Sequence, residues 1–242
     1  MIPMILGFSI MGPLSGYFSD KYGARTFATL SMVVTAATFL ALSTLPYDFS
    51  YLPFAIIIFI MGLGGGMFAA PNTASIMNAV PPQHRGAASG MRATLQNTGQ
   101  TVSLAIFFTV IITGLSNSLP TALSNAMTSA GVPQLAGAFS SISPTSALFS
   151  AFLGYNPVQS ILSVPQLSSV VAQIPASTLA YLEGQTFFPN AIAPAFISAL
   201  DLAFYIGAAL SLAAAVASFL RGEVYIHDES NEVTEDHRSG KV

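Results

Sequence analysis

An all-α integral membrane protein, a multi-span helical bundle of about five transmembrane helices, is the fold this sequence predicts, and three observations predict it. Of 242 residues, 52% are hydrophobic and 7% charged, whereas a soluble domain carries about 25% charged residues; the mean hydropathy is +0.65. The apolar residues fall in continuous runs long enough to cross a hydrocarbon layer of ~30 Å at ~1.5 Å per residue. Barrel strands would instead alternate apolar and polar positions over ~10 residues. Basic residues, finally, gather at every second connection between the runs, a pattern that orients helices in a membrane.

The first span is expected over residues 2–18, short and broken by Pro3, Gly7, Gly12, Pro13 and Gly16. A charged hinge carrying Asp20, Lys21 and Arg25 follows, where the chain turns around in water. The second span covers residues 26–45, and Pro46-Tyr47-Asp48 makes the next turn. The third covers 52–78, interrupted by the run Gly62-Leu63-Gly64-Gly65-Gly66 and by Pro71. Val80 to Gly86, with His84 and Arg85, is the third turn, and the fourth span runs over 87–115.

Residues 116–192 are rich in Ser, Pro and Ala and contain no Lys or Arg. Segments 121–130, 145–153 and 158–173 read there as amphipathic helices lying on a membrane surface. The last span covers 193–221, and residues 222–242 form an acidic, solvated tail. With Lys21, Arg25, His84, Arg85, Arg92, Arg221, Arg238 and Lys241 on one side, that side is cytoplasmic by the positive-inside rule. Asp48 and the Ser-rich loop then face out, and the carboxy terminus faces in. No basic amino-terminal region or small-residue cleavage site precedes the first run, so Met1 is expected inside a spanning helix and not in a removable signal peptide.

Function classes are narrowed by what the spans carry. Cysteine is absent, and the three histidines, His84, His227 and His237, fall in turn or tail with no metal-ligand spacing. No catalytic constellation, phosphate-binding Gly-rich loop or basic nucleic-acid patch is visible, so no enzyme, cofactor, metal or nucleic-acid reading is supported. Intramembrane polar groups remain. Arg92, Gln96, Gly99 and Gln100 share a face of the fourth span, with Asn97 beside them, and buried amides in lipid must meet protein or a water-filled cavity. They read as interhelical contacts or as a substrate path, with Arg92 also able to reach lipid phosphates. Gly62, Gly66 and Pro71 read as close helix packing or as a broken helix lining such a path. Asp201, an acid within the last span, is a candidate for proton or cation coupling, the other reading being a hydrated group at the outer interface.

The motifs in these positions resemble a known family. Gly12-Pro-Leu-Ser-Gly16-Tyr-Phe-Ser-Asp20-Lys21-Tyr-Gly23-Ala-Arg25 is similar to the cytoplasmic loop signature of the major facilitator superfamily, in the version of the second half of fourteen-helix drug:proton antiporters. Gly62 to Gly66, Pro71-Asn72-Thr73-Ala74, Val80 to Gly90 and Gln96-Asn97-Thr98-Gly99 follow in the order of that branch's later helices. The resemblance implies a partial major facilitator fold and proton-coupled export of small amphipathic molecules from the cell by alternating access. It makes Gly12, Gly16, Asp20, Lys21, Gly23 and Arg25 a cytoplasmic gate, and adds Asn72 to the substrate-path candidates. It also implies that a first helical bundle is missing, to be supplied by a separate chain or by self-association. The competing expectation is a non-transporting membrane remnant or accessory subunit. Membrane lipid and a small-molecule substrate are the expected partners.

Overall fold

The computed structural model describes residues 1–220; the side chain of Asp20 and the predicted acidic tail beyond Leu220 lie outside the described part. Among the described residues there is helix and no strand. Five helices are long and apolar enough to cross a membrane: α1 (Ile2–Tyr22), α2 (Ala24–Leu42), α3 (Tyr51–Asn78), α4 (Arg85–Ser129) and α10 (Phe187–Phe219). Between α4 and α10 lie the short helices α5 (Ala136–Phe139), α6 (Pro144–Phe152), α7 (Val158–Leu162), α8 (Ser168–Val171) and α9 (Ala176–Glu183). The chain is therefore an all-α multi-pass membrane protein. It divides into two compact units, one of residues 1–103 with the end of α10 from Phe204, the other of Leu104–Ala203.

In the first unit α3 is the central helix. Its glycines are divided between two neighbours: Gly62 and Gly66 face α1, and Gly64 faces α2. A Cβ at Gly62 would run into the Met4 carbonyl, and one at Gly66 would lie 2.8 Å from both the Phe8 carbonyl oxygen and the Gly12 nitrogen. Close backbone approach is what small residues provide where lipid offers no hydrophobic drive to association. Ser15, fully buried, has its hydroxyl 3.0 Å from both the Gly12 carbonyl of α1 and the Gly66 carbonyl of α3, so its one proton is shared between its own helix and the same crossing.

These contacts correct three sequence expectations. Helix α3 is continuous through Gly62–Gly66 and Pro71, so the glycine run packs and does not interrupt. Helix α1 is likewise unbroken, with Pro13 inside it. The charged hinge shrinks to one residue, because α1 continues to Tyr22 and α2 starts at Ala24. Gly23 alone makes the turn, at φ 86°, where a side chain would be strained. In a bilayer every backbone group must be paired within the chain, and that outweighs the weak helix preference of glycine.

The second unit holds a core of large side chains. Leu115, Leu119, Leu123 and Met127 line one face of α4 at intervals of four residues, and Phe187, Phe188, Ile192 and Ala195 come from α10. Leu135, Phe139, Ala147, Val158 and Leu182 close this core from the short elements. The segments expected as surface-lying helices are thus packed together, and the first of them is simply the end of α4. That helix runs past the predicted boundary at Leu115, through Pro120, because its leucine face is buried. At 45 residues it is about 67 Å long, more than twice the hydrocarbon thickness. Nearer the middle of the pair, a Cβ at Gly114 would meet the Ala199 Cβ at 2.8 Å.

Candidate transport site

Within the first unit α3 and α4 enclose an open cavity of about 600 Å³. Helical spacing builds both walls. Phe68, Asn72 and Ile76 recur every four residues on α3, while Met91 with Leu95 and Arg92 with Gln96 do the same on α4. Of the four large apolar members of this group, Phe68 is aromatic and Met91 unbranched and flexible, the kind of surface that adapts to ligands of different outline.

Arg92 is the charged residue in the lining. It is half-buried, and its Nη2 donates to Gln96 Oε1 at 3.5 Å, one helical turn away. Asn72 is half-buried on the opposite wall. A molecule entering here would meet one aromatic ring, aliphatic chains and a thioether, with a guanidinium and an amide on the α4 wall and a second amide on the α3 wall. That arrangement suits binding and orientation; it contains no nucleophile–base pair.

Asn72, Arg92 and Gln96 are thus brought together, while the remaining path candidates are not part of the lining. Gly62 and Gly66 are occupied by α1, and Pro71 is buried. Asn97 and Gln100 are exposed on α4, in a stretch where every residue from 93 to 109 is exposed. Asp201 is half-buried on α10 in the second unit, with no hydrogen-bond or ion-pair partner among the described residues. The apolar liners Phe68, Ile76, Met91 and Leu95 escaped the sequence reading, though their spacing from Asn72 and Arg92 could have found them.

The gate candidates occupy the end of α1 and the start of α2. Gly12 and Gly16 lie inside α1, Gly16 against Ala70 of α3. Asp20 is in the last turn of α1; Lys21 is exposed, its Nζ 5.5 Å from the Tyr22 ring. Arg25 lies with its guanidinium carbon 4.6 Å from the centre of the Phe219 ring, a cation–π contact. One turn further on, Thr29 donates its hydroxyl to Ser218 at 3.1 Å. The start of α2 is therefore fastened to the end of α10, a pairing for which the sequence held no signal.

Residues 2–122 match the Major Facilitator Superfamily. Among characterised relatives, the riboflavin transporter RibZ of Clostridioides difficile is 32% identical over 98 residues, 40% of this chain and 22% of that protein. Multidrug resistance protein 3 of Bacillus subtilis is 28% identical over 151 residues, 62% of this chain and 29% of that protein. The multidrug resistance protein MdtH of Aeromonas salmonicida is 33% identical over 92 residues, 38% and 22% of the two chains. The chain spans about a quarter of the length of the curated relatives it matches. No solved structure is a significant match.

Proposed function

Because the chain belongs to the Major Facilitator Superfamily, a family of transporters and not of enzymes, we propose that it forms carboxy-terminal helices of a secondary active exporter. The exporter moves small amphipathic molecules out across the plasma membrane by alternating access, in exchange for protons, and its carboxy terminus is cytoplasmic. The observation that carries this reading is the cavity between α3 and α4. Phe68, Ile76, Met91 and Leu95 accept the apolar part of such a molecule, and Arg92 with Gln96 its polar part. The guanidinium favours neutral or anionic amphiphiles over cations. Relatives named for multidrug resistance and for riboflavin transport support a small-molecule substrate.

In this reading the Asp20–Arg25 segment is the cytoplasmic gate, and Asp201 is the coupling candidate. A second bundle completes the cavity, from another chain or a second copy; the unbroken exposure of α4 from 93 to 109 supports that need. The same exposure also favours a second reading, a subunit that packs against other helices without transporting.

Uptake of anionic, neutral and cationic fluorescent amphiphiles into energised inverted vesicles tests both. The chain is compared alone, together with the amino-terminal half of a relative, and against empty vesicles. Uncoupler-sensitive uptake of the anionic or neutral probes in either chain-containing arm supports the exporter. Uptake no greater than in empty vesicles for every probe, at equal membrane expression, sinks it and leaves the packing subunit.

A further inference from the structure

In the second unit the end of α6 and the turn after it hold a group of large apolar side chains out of the core. Ala147 of α6 is fully buried, whereas Phe149 is 56%, Phe152 84% and Leu153 74% exposed. Positions 149, 152 and 153 share one face of the helix at spacings of three and four. Tyr155, 53% exposed, follows directly.

This tip is firmly built. Ser143 caps α6 by accepting the Ser146 N–H at 3.1 Å. At the other end the N–H groups of Leu153, Gly154 and Tyr155 donate to the Phe149, Ala151 and Ser150 carbonyls at 2.9, 3.2 and 2.8 Å. Gly154 takes φ 69°, which closes the turn. The Tyr155 hydroxyl is 2.6 Å from that of Ser160. Behind the turn, the Asn156 amide donates to the carbonyls of both Leu182 and Gly184 at 2.8 Å, and its oxygen accepts the Val158 N–H at 3.0 Å. A hydrogen-bonded stem therefore presents two phenylalanines and a leucine outside the core.

We propose that this tip, Phe149, Phe152, Leu153 and Tyr155, docks into the boundary between headgroups and hydrocarbon of a zwitterionic lipid leaflet. The stem is pinned to Leu182 and Gly184, and three residues after Gly184 the chain enters α10, whose first turns pack in the core of this unit and which is long and apolar enough to cross a membrane, so the tip is tied to the approach of a membrane-crossing helix. The residue types are those of membrane interfaces, apolar rings with one hydroxylated ring beside them. Charge selects the lipid: no Lys or Arg occurs from 93 to 220, and Glu183 follows the Leu182 anchor. Nothing there attracts anionic headgroups, and the carboxylate repels them.

The sequence contains no tryptophan, so Phe152→Trp places a single tryptophan, excited selectively over the tyrosines, at the most exposed ring of the tip without touching the core. The full chain carrying it is reconstituted in phosphatidylcholine vesicles, and the emission is challenged with brominated acyl chains and with aqueous acrylamide. Gln134→Trp, at another exposed position of the same unit, gives the reference. Docking predicts blue-shifted emission at position 152, quenching by brominated lipid about twofold or more above the reference, and no gain when anionic lipid is added. Quenching by acrylamide but not by brominated lipid means a tip in water and overturns the proposal. Resistance to both quenchers means cover by protein and overturns it equally. Phe149→Trp repeats the measurement independently, and none of these readings requires transport activity.

Discussion

The two units achieve close packing by opposite means. Where α1 crosses α3, side chains have been removed: Gly62 and Gly66 let backbone meet backbone, and a buried serine bonds across the gap. In the second unit, beyond the close approach of Gly114 to Ala199, the space is filled, with Leu115, Leu119, Leu123, Met127, Phe139 and Phe188 in one core. Lipid is as apolar as leucine, so burying leucine between helices inside a bilayer gains little, whereas contact and hydrogen bonding still do. A leucine and phenylalanine core is one that water drives together. The contrast supports placing much of the segment between α4 and α10 outside the hydrocarbon, and α4, at 45 residues, has the length to reach it.

Substitutions can break that comparison or sharpen it. Gly62→Leu should have the largest effect, because its side chain meets the Met4 backbone, which cannot move aside without shifting α1. A loss of more than about 5 kcal/mol is expected, seen as collapsed amide-exchange protection over residues 2–22 in micelles, with protection of the second unit retained. Phe188→Ala should cost about 3–5 kcal/mol by emptying the other core. Exchange should then rise over 119–188 and stay unchanged in α1 and α3; equal loss in both units would mean that they do not fold as separate packings. Ser15→Ala removes the hydroxyl that reaches Gly66 and should cost about 0.6–1.7 kcal/mol in denaturant titrations of the reconstituted chain. No measurable change would assign the crossing to backbone contact alone. The smallest effect, about 0.5 kcal/mol, is expected for Phe219→Leu, which keeps bulk but removes the ring under Arg25. A double-mutant cycle with Arg25→Gln measures it, and zero coupling would dismiss the contact.

The spans were legible because lipid leaves few options: continuous apolar runs of this length become helices, and five did. Their interruptions were misread for the same physical reason. Pro13, Gly62–Gly66 and Pro71 carry the breaking signals of soluble proteins, but in a bilayer an opened backbone has no water to bond, so the helices continue. The four-residue stripe Leu115, Leu119, Leu123 and Met127 was visible in the sequence, yet its covering residues, Leu135, Phe139, Val158 and Leu182, are scattered among serines and prolines without a period. At the cavity, Arg92 and Gln96 could be read as one face of a helix. That Asn72 shares their cavity depends on how α3 and α4 face one another, which no local pattern encodes.

Gly23 also fixes depth. A single residue joins α1 to α2, and one residue spans at most about 3.6 Å, so the end of α1 and the start of α2 are held at one level. Two membrane-crossing helices joined in this way run in opposite directions, and their outer ends lie on one face. A side chain at this position, where φ is 86°, would strain the one residue that sets that level.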